Sequence, residues 1–316
     1  MKIFLTGASG FVGHAIALKL AENKDLELRV STRKNLVDLP ISTNVFQIPT
    51  LDANTDWHKA LLETEVVIHS AALAHVMHYK TDKCLEKFRK INVEGTLNLA
   101  RQAILAGVRR FVFISSIKVN GEYTDRERPF KADDKPAPSD PYGISKMEAE
   151  QGLIKLADQT RMEIVIVRPV LVYGLGVKAN FYDMMKWISK SIPLPLGAIH
   201  NSRSMLALDN LVDFIMNCLT HPAAAGEIFL VSDGEDVSTT ELLRRTAKAM
   251  GKTVLLFPVP KFCLKFLATL LGKKIIANRI CNSLQVDIKK NKRLLNWKPP
   301  LSLDQGLDKA VESFKQ

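Results

Sequence analysis

Short uninterrupted apolar runs alternate with stretches of helical periodicity along the first half of the chain. "MKIFL" predicts a first strand, and "HAIALKLAEN", with Ile16, Leu18 and Leu20 set among alanines, predicts a helix behind it. "LELRVSTR", "VFQIPTLD" and "EVVIHSAA" predict strands two to four. "INVEGTLNLARQAILAG" predicts a long helix stopped by Gly107. "RRFVFISS" is a fifth strand, and "PYGISKMEAEQGLIKLADQ" a helix capped by Asp140 with Pro141 in its first turn. "EIVIVRPVLVYG" reads as a sixth strand. Runs such as "FVFI" and "IVIV" do not alternate with polar residues, which is the pattern of strands covered on both faces. Strand–helix alternation of this kind gives an α/β fold, a doubly wound parallel sheet with helices on both sides.

The texture changes after Gly174, where prolines cluster in "SIPLPLG", helices look shorter and "WKPPLS" interrupts near the end. Residues 1–170 are expected to form the sheet domain, and 171–316 mainly a smaller substrate-binding region. "SMLAL" and "EIFLVSD" are candidates for returning to the main sheet. "KFCLKFLATLLG" is apolar nearly all round; buried core is the expectation, with a dimer contact or a membrane-surface helix as alternatives.

With 316 residues and 47% of them hydrophobic, the chain can bury a large core. No apolar run approaches the ~20 residues that span a bilayer, and "MKIFLTG" is too short for a secretory signal. The four cysteines, Cys84, Cys218, Cys263 and Cys281, lie far apart without a C-x-x-C pair. A reduced, cytoplasmic protein fits that usage better than a disulfide framework or a zinc site. His75 and His78 follow a predicted strand and read as loop histidines, so no metal is proposed. The net charge of +11 is spread along the chain, and its densest run, "KKNKRLL", lacks interleaved aromatics. A solvated helix face accounts for that run, and nucleic acid is not the expected partner.

Candidate chemistry begins at "TGASGFVG", where Gly7, Gly10 and Gly13 sit between the first strand and its helix, with Ser9, Phe11 and Val12 between them. A helix N-terminus offers unpaired N–H groups and partial positive charge to an anion. Glycines there let a pyrophosphate approach the backbone. Tyr142 and Lys146, four apart on one predicted helix, share a face. An ammonium beside a phenol lowers the phenol pKa from about 10 and suits it to proton exchange with a hydroxyl or carbonyl. Ser115 and Ser116 close the fifth strand at the sheet edge where open α/β sheets bind ligands. Ser116 is placed to hydrogen-bond the same substrate oxygen. Taken singly, Ser116 ends a strand and Tyr142 packs on a helix; in this order after a glycine loop, they favour a site.

Together, Thr6-Gly-x-x-Gly-x-x-Gly13, Asp52 after strand three, "HSAA" at 69–72, Asn92, Ser116 and Tyr142-x-x-x-Lys146 resemble the extended short-chain dehydrogenase/reductase superfamily. "RPVLVYG", Arg203 ahead of "LDNL", and "LLNWKPPLSLDQGL" are similar to its nucleotide-sugar epimerase and reductase branch. The resemblance implies a Rossmann sheet, a nicotinamide cofactor, a UDP-sugar substrate and a homodimer. It places Gly7, Ser9, Gly10, Phe11, Val12, Gly13, Arg33, Asp52, Ala71, Ala72, Asn92, Tyr142 and Lys146 at the cofactor, and Ser116, Asn180, Arg203 and Arg279 at the substrate. Ser116, Tyr142 and Lys146 are its catalytic residues, and the two arginines face the substrate pyrophosphate.

Departures from the pattern steer the reading further. NAD-binding relatives carry an acidic residue about twenty positions past the loop. Here Arg33 stands in that region, which favours NADP(H) over NAD(H); an exposed surface arginine is the competing reading. Ile117 and Lys118 occupy the positions where the related 4,6-dehydratases carry Asp-Glu, so dehydration is set aside. Asn120 replaces a tyrosine usual in the epimerases. With Arg33 it tilts the expectation to an NADPH-dependent reductase making UDP-N-acetylquinovosamine from a UDP-4-keto-6-deoxy-N-acetylhexosamine, as "SSIKVNGE" and "DPYGISKMEAE" resemble such enzymes. A UDP-sugar 4-epimerase is the alternative. A non-catalytic NADP-binding redox sensor is a second, weakened by the presence of both Tyr142 and Lys146.

Overall fold

The computed structural model describes residues 1–33, 39, 43–74, 82–125, 127–177 and 180–315; His75 and His78 lie outside them. The first half runs β1 (Lys2–Thr6), α1 (Phe11–Ala21), β2 (Glu27–Thr32), β3 (Asn44–Gln47), the single turn α2 (His58–Leu61) and β4 (Val66–His69). Then come α3 (Asp82–Phe88), α4 (Gly95–Leu105), β5 (Arg110–Ile114), α5 (Pro141–Asp158) and β6 (Glu163–Pro169). The second half adds β7 (Leu171–Tyr173), α6 (Asn180–Ser189), β8 (Arg203–Ala207), α7 (Leu208–Thr220), β9 (Ile228–Val231), β10 (Asp236–Val237) and α8 (Thr239–Ala249). It ends with α9 (Lys261–Leu270), α10 (Lys274–Cys281), α11 (Lys289–Leu295) and α12 (Leu303–Lys315).

Seven parallel strands form the main sheet in the order β3-β2-β1-β4-β5-β6-β9. Connections leave β1 toward one edge and β4 toward the other, so a crevice opens outside the carboxyl ends of these two neighbours. Strands β4 and β5 are buried along their whole length, as their unbroken apolar runs require. Alternate residues feed two layers. Ile3 and Leu5 pack with Ile16 of α1 and Phe214 of α7, while Phe4 and Phe113 pack with Leu99 of α4 and Leu153 of α5.

Three expectations are changed by the structure. "EIVIVRPVLVYG" is two strands: Pro169, with no N–H to donate, ends β6, and β7 joins β8 and β10 in a separate three-stranded sheet. "EIFLVSD" supplies β9 to the main sheet as expected, but "SMLAL" is β8 of the small one. The apolar "KFCLKFLATLLG" is not core, since α9 buries no residue and leaves Phe262 74% and Phe266 68% exposed. Both faces of the main sheet are already covered by other helices, and α9 packs chiefly against α10.

Candidate active site

The glycine loop is built for close approach. Gly7 adopts φ +79°, a left-handed conformation that favours glycine. A Cβ on Gly7 would lie 2.7 Å from the Ala71 nitrogen, and one on Gly13 would lie 2.1 Å from the Gly7 oxygen. The Gly10 N–H donates to the Gly7 oxygen at 2.9 Å and so turns the chain into α1. Among the described residues no side chain caps α1, whose first turn, Phe11 to Gly13, follows this turn. Ser9 is exposed on the loop. A bare helix N-terminus with glycine on either side fits a dinucleotide pyrophosphate.

A buried hydrogen-bond chain fixes the neighbouring loop. The Thr96 hydroxyl donates to the Asn92 carbonyl at 2.7 Å, so it accepts from His69 Nε2 at 2.9 Å. His69 Nδ1 then accepts from Thr6 Oγ1 at 2.6 Å, and Thr6 Oγ1 accepts from the Ala71 N–H at 3.3 Å. Every donor in the chain points the same way, which assigns the Nε2–H tautomer. Burial, helped by the nearby Lys146 cation, pushes the His69 pKa down to about 3, so the imidazole stays neutral. His69 was legible only as a letter of "HSAA"; its buried partners Thr6 and Thr96 come from distant segments.

Other expected cofactor residues gather at the same sheet edge in different ways. Asn92 lies on a π-helical turn, Arg89–Glu94, and its amide clasps the backbone of Leu73, accepting at 2.8 Å and donating at 3.0 Å. Asn92 thereby holds the segment of Ala71 and Ala72. Asp52 accepts from the Asn54 N–H at 3.0 Å, and that bond holds its carboxyl below the usual range. Arg33 is exposed immediately after β2.

Lys146 and Ser116 both lie at the end of β5, and Tyr142 stands one turn before Lys146 on α5. Asp140 caps α5 by accepting from the Gly143 N–H at 2.7 Å, and it forms an ion pair with Lys118. A Cβ on Gly143 would stand 2.8 Å from the Lys118 oxygen, so glycine lets α5 close onto the turn that Ser116 begins. Lys146 is buried, donates to the Ile114 carbonyl at 2.7 Å and sits 4.3 Å from the Phe113 ring centroid. Burial lowers its pKa to about 7, against an opposing pull from Glu150. The expected lowering of the Tyr142 pKa is not found. Burial, reinforced by the Asp140 carboxylate, raises it; Lys146 turns to the β5 backbone, and the Phe88 ring packs edge-on against the phenol with centroids 6.1 Å apart.

Behind these residues lies an ion pair that sequence reading missed. Arg168 of β6 grips Glu150 of α5 with three contacts of 2.6 to 3.2 Å, and Ser115 donates to the same carboxylate. The remaining guanidinium nitrogen reaches Asn120 Oδ1 at 2.9 Å, while the Asn120 amide donates to the Lys131 carbonyl at 3.1 Å. Asn120 is therefore a buried structural partner. Glu150 follows Lys146 by four positions, so helix periodicity placed it on the catalytic face.

The arginines converge from β8 and α10. Arg203 Nη1 donates to the Arg279 carbonyl at 2.9 Å. Burial, followed by the Arg279 cation, lowers the Arg203 pKa, while Glu122 acts in the opposite sense. Two guanidinium groups that destabilise one another make a surrounding that an anion would relieve. Lys118 pairs with both Glu122, at 3.1 Å, and Asp140, which links this end to the start of α5. Asn180 opens α6, and its side chain lies outside the described residues.

A sequence model described as the NAD dependent epimerase/dehydratase family matches residues 3–232, and the chain belongs to that family. Among curated relatives, a UDP-glucose 4-epimerase of Vibrio cholerae is 47% identical over 99% of this chain and 95% of its own length. An N-acetyl-α-D-glucosaminyl-diphospho-ditrans,octacis-undecaprenol 4-epimerase of Escherichia coli O157:H7 is 27% identical over 98% of this chain and 94% of its own. The fold matches that of a Bacillus cereus UDP-glucuronic acid 4-epimerase in complex with NAD, with a TM-score of 0.81, 22% identity, and 100% and 99% of the two chains covered. The protein is an enzyme of the nucleotide-sugar branch of this family.

Proposed function

We propose that the protein is a UDP-hexose 4-epimerase that works with NAD(H), and that UDP-glucose and UDP-galactose are its first substrate pair to test. The observation that carries this reading is the 47% identity, across almost the whole chain, to an enzyme named for that reaction. The reductase expectation rested on Asn120 and Arg33. Asn120 is held by Arg168 as a buried structural partner, so it carries no argument for a reductase, and Arg33 stands exposed past β2. A preference for NADP(H) finds no support in the family, whose description names NAD.

The glycine turn and the uncapped start of α1 would hold the pyrophosphate of the dinucleotide, with Ala71 and Ala72 beside it. When bound, that group supplies reversible hydride transfer at sugar C4. The chain's own residues do the rest. Tyr142 takes the C4 hydroxyl proton and gives it back, and Ser116 hydrogen-bonds the same oxygen. Lys146, one helical turn from Tyr142, holds the Ile114 carbonyl at the end of β5 and so fixes the floor of the site. Arg203 and Arg279 hold the diphosphate while the sugar turns.

Incubation with UDP-glucose, without added dinucleotide, tests the reading by NMR. UDP-galactose should accumulate to a fixed ratio. No interconversion of UDP-hexoses, together with NADPH consumption on the UDP-4-keto-6-deoxy-N-acetylhexosamine, would restore the reductase.

A further inference from the structure

The α9–α10 hairpin belongs to neither core layer, and only Arg279, near the end of α10, reaches the site just described. It is nonetheless sharply defined. Gly272, with φ +68°, ends α9, the Lys273 N–H returns to the Ala268 oxygen at 2.7 Å and the Gly272 N–H to the Thr269 oxygen at 3.1 Å. The hairpin presents Phe262, Phe266, Leu270, Leu271, Ile275 and Ile276 to solvent, each between 53% and 74% exposed. An apolar crevice of about 190 Å³ opens between its helices, lined by Leu264, Leu267 and Ile280 among others. Clustered apolar exposure on this scale marks an interaction surface.

Charge says what kind. From residue 252 to 286 the chain carries Lys252, Lys261, Lys265, Lys273, Lys274 and Arg279 and no Asp or Glu, although the whole protein holds 33 acidic residues. Large aromatic and aliphatic side chains alternating with lysines, without a single carboxylate, complement a surface that is apolar inside and anionic at its rim. Among the described residues no helix is long and apolar enough to cross a membrane; a hairpin of this composition suits the surface of a bilayer.

We infer that the α9–α10 hairpin docks the enzyme on an anionic phospholipid surface. Docking there orients the site. Arg203 is bonded to the Arg279 carbonyl, and Asn201 and Thr239 both donate to the Ile280 carbonyl, which ties α10 to the strand carrying the diphosphate arginine. The diphosphate end of the crevice therefore sits beside the lipid headgroups.

Co-sedimentation of the full chain with vesicles tests this independently of the reaction. Vesicles of phosphatidylcholine mixed with phosphatidylglycerol should pellet the protein, phosphatidylcholine alone should pellet much less, and added salt should release it. The double substitution F262E/F266E should weaken binding roughly a hundredfold or more, since it removes two apolar anchors and adds two like charges. Its melting temperature and its turnover of soluble UDP-sugar should be those of the parent. Lack of binding to the mixed vesicles, or equal binding to both kinds, would overturn the inference. So would sedimentation-velocity runs without lipid in which the parent self-associates and F262E/F266E does not, because a second copy would then cover the face.

Discussion

The Gly13 Cα is so close to the Gly7 carbonyl that a methyl group on it would stand 2.1 Å from that oxygen. Backbone faces backbone here, and no side chain can swing aside. Gly13→Ala should therefore displace α1 from β1. The expected cost is about 1–3 kcal/mol, as for other overpacked sites. Denaturant unfolding reads the cost, and isothermal titration with NAD should show binding weakened by more than the loss of stability explains.

Tyr142→Phe should remove turnover by roughly 10²–10⁴-fold while leaving NAD affinity near that of the parent. The phenyl ring keeps its edge contact with Phe88, so the melting temperature should hold. Initial rates and a NAD titration on the same preparation separate the two effects. Unchanged turnover would remove the tyrosine from its role.

Lys146 makes a pH-dependent contribution to stability with a definite sign. Its pKa is about 7 in the folded protein and 10.5 ordinarily. Between those values the unfolded chain binds more protons than the folded one, so stability from this group rises with pH. Below pH 7 both states are protonated and the burial cost is felt in full. Lys146→Met should abolish that rise: the stability difference between variant and parent should narrow as pH climbs from 7 toward 10.5. Urea unfolding at several pH values measures it.

Arg203→Ala should raise KM for the UDP-sugar roughly ten- to hundredfold, the loss expected for hydrogen bonds to a charged group, with a smaller change in kcat. Arg279→Ala, on an exposed residue, should act in the same direction without a loss of stability. A kcat effect larger than the KM effect would move these arginines from holding the diphosphate to the reacting end.

Much of this was readable in the chain because the signals are local. Continuous apolar runs mark strands buried on both faces, and Tyr142, Lys146 and Glu150 recur every four residues on one helix. What escaped depends on what meets a residue in space. Asn120 reads as a departure in a motif until Arg168, from a strand 48 positions later, is seen bonded to it. The direction of the Tyr142 pKa turns on how deeply the phenol is buried, which helix spacing does not encode. The exposure of α9 was hidden because an all-round apolar helix looks the same whether or not other elements cover it.

The central claim is that Tyr142 moves a proton at a sugar hydroxyl whose C4 hydrogen leaves and returns within one turnover. UDP-glucose carrying deuterium at C4 tests it most directly. The account predicts UDP-galactose with the deuterium still at C4 and no net consumption of NADH or NADPH. Product that has lost the label to solvent, or no epimer alongside stoichiometric NADPH oxidation with a 4-keto sugar, would contradict it.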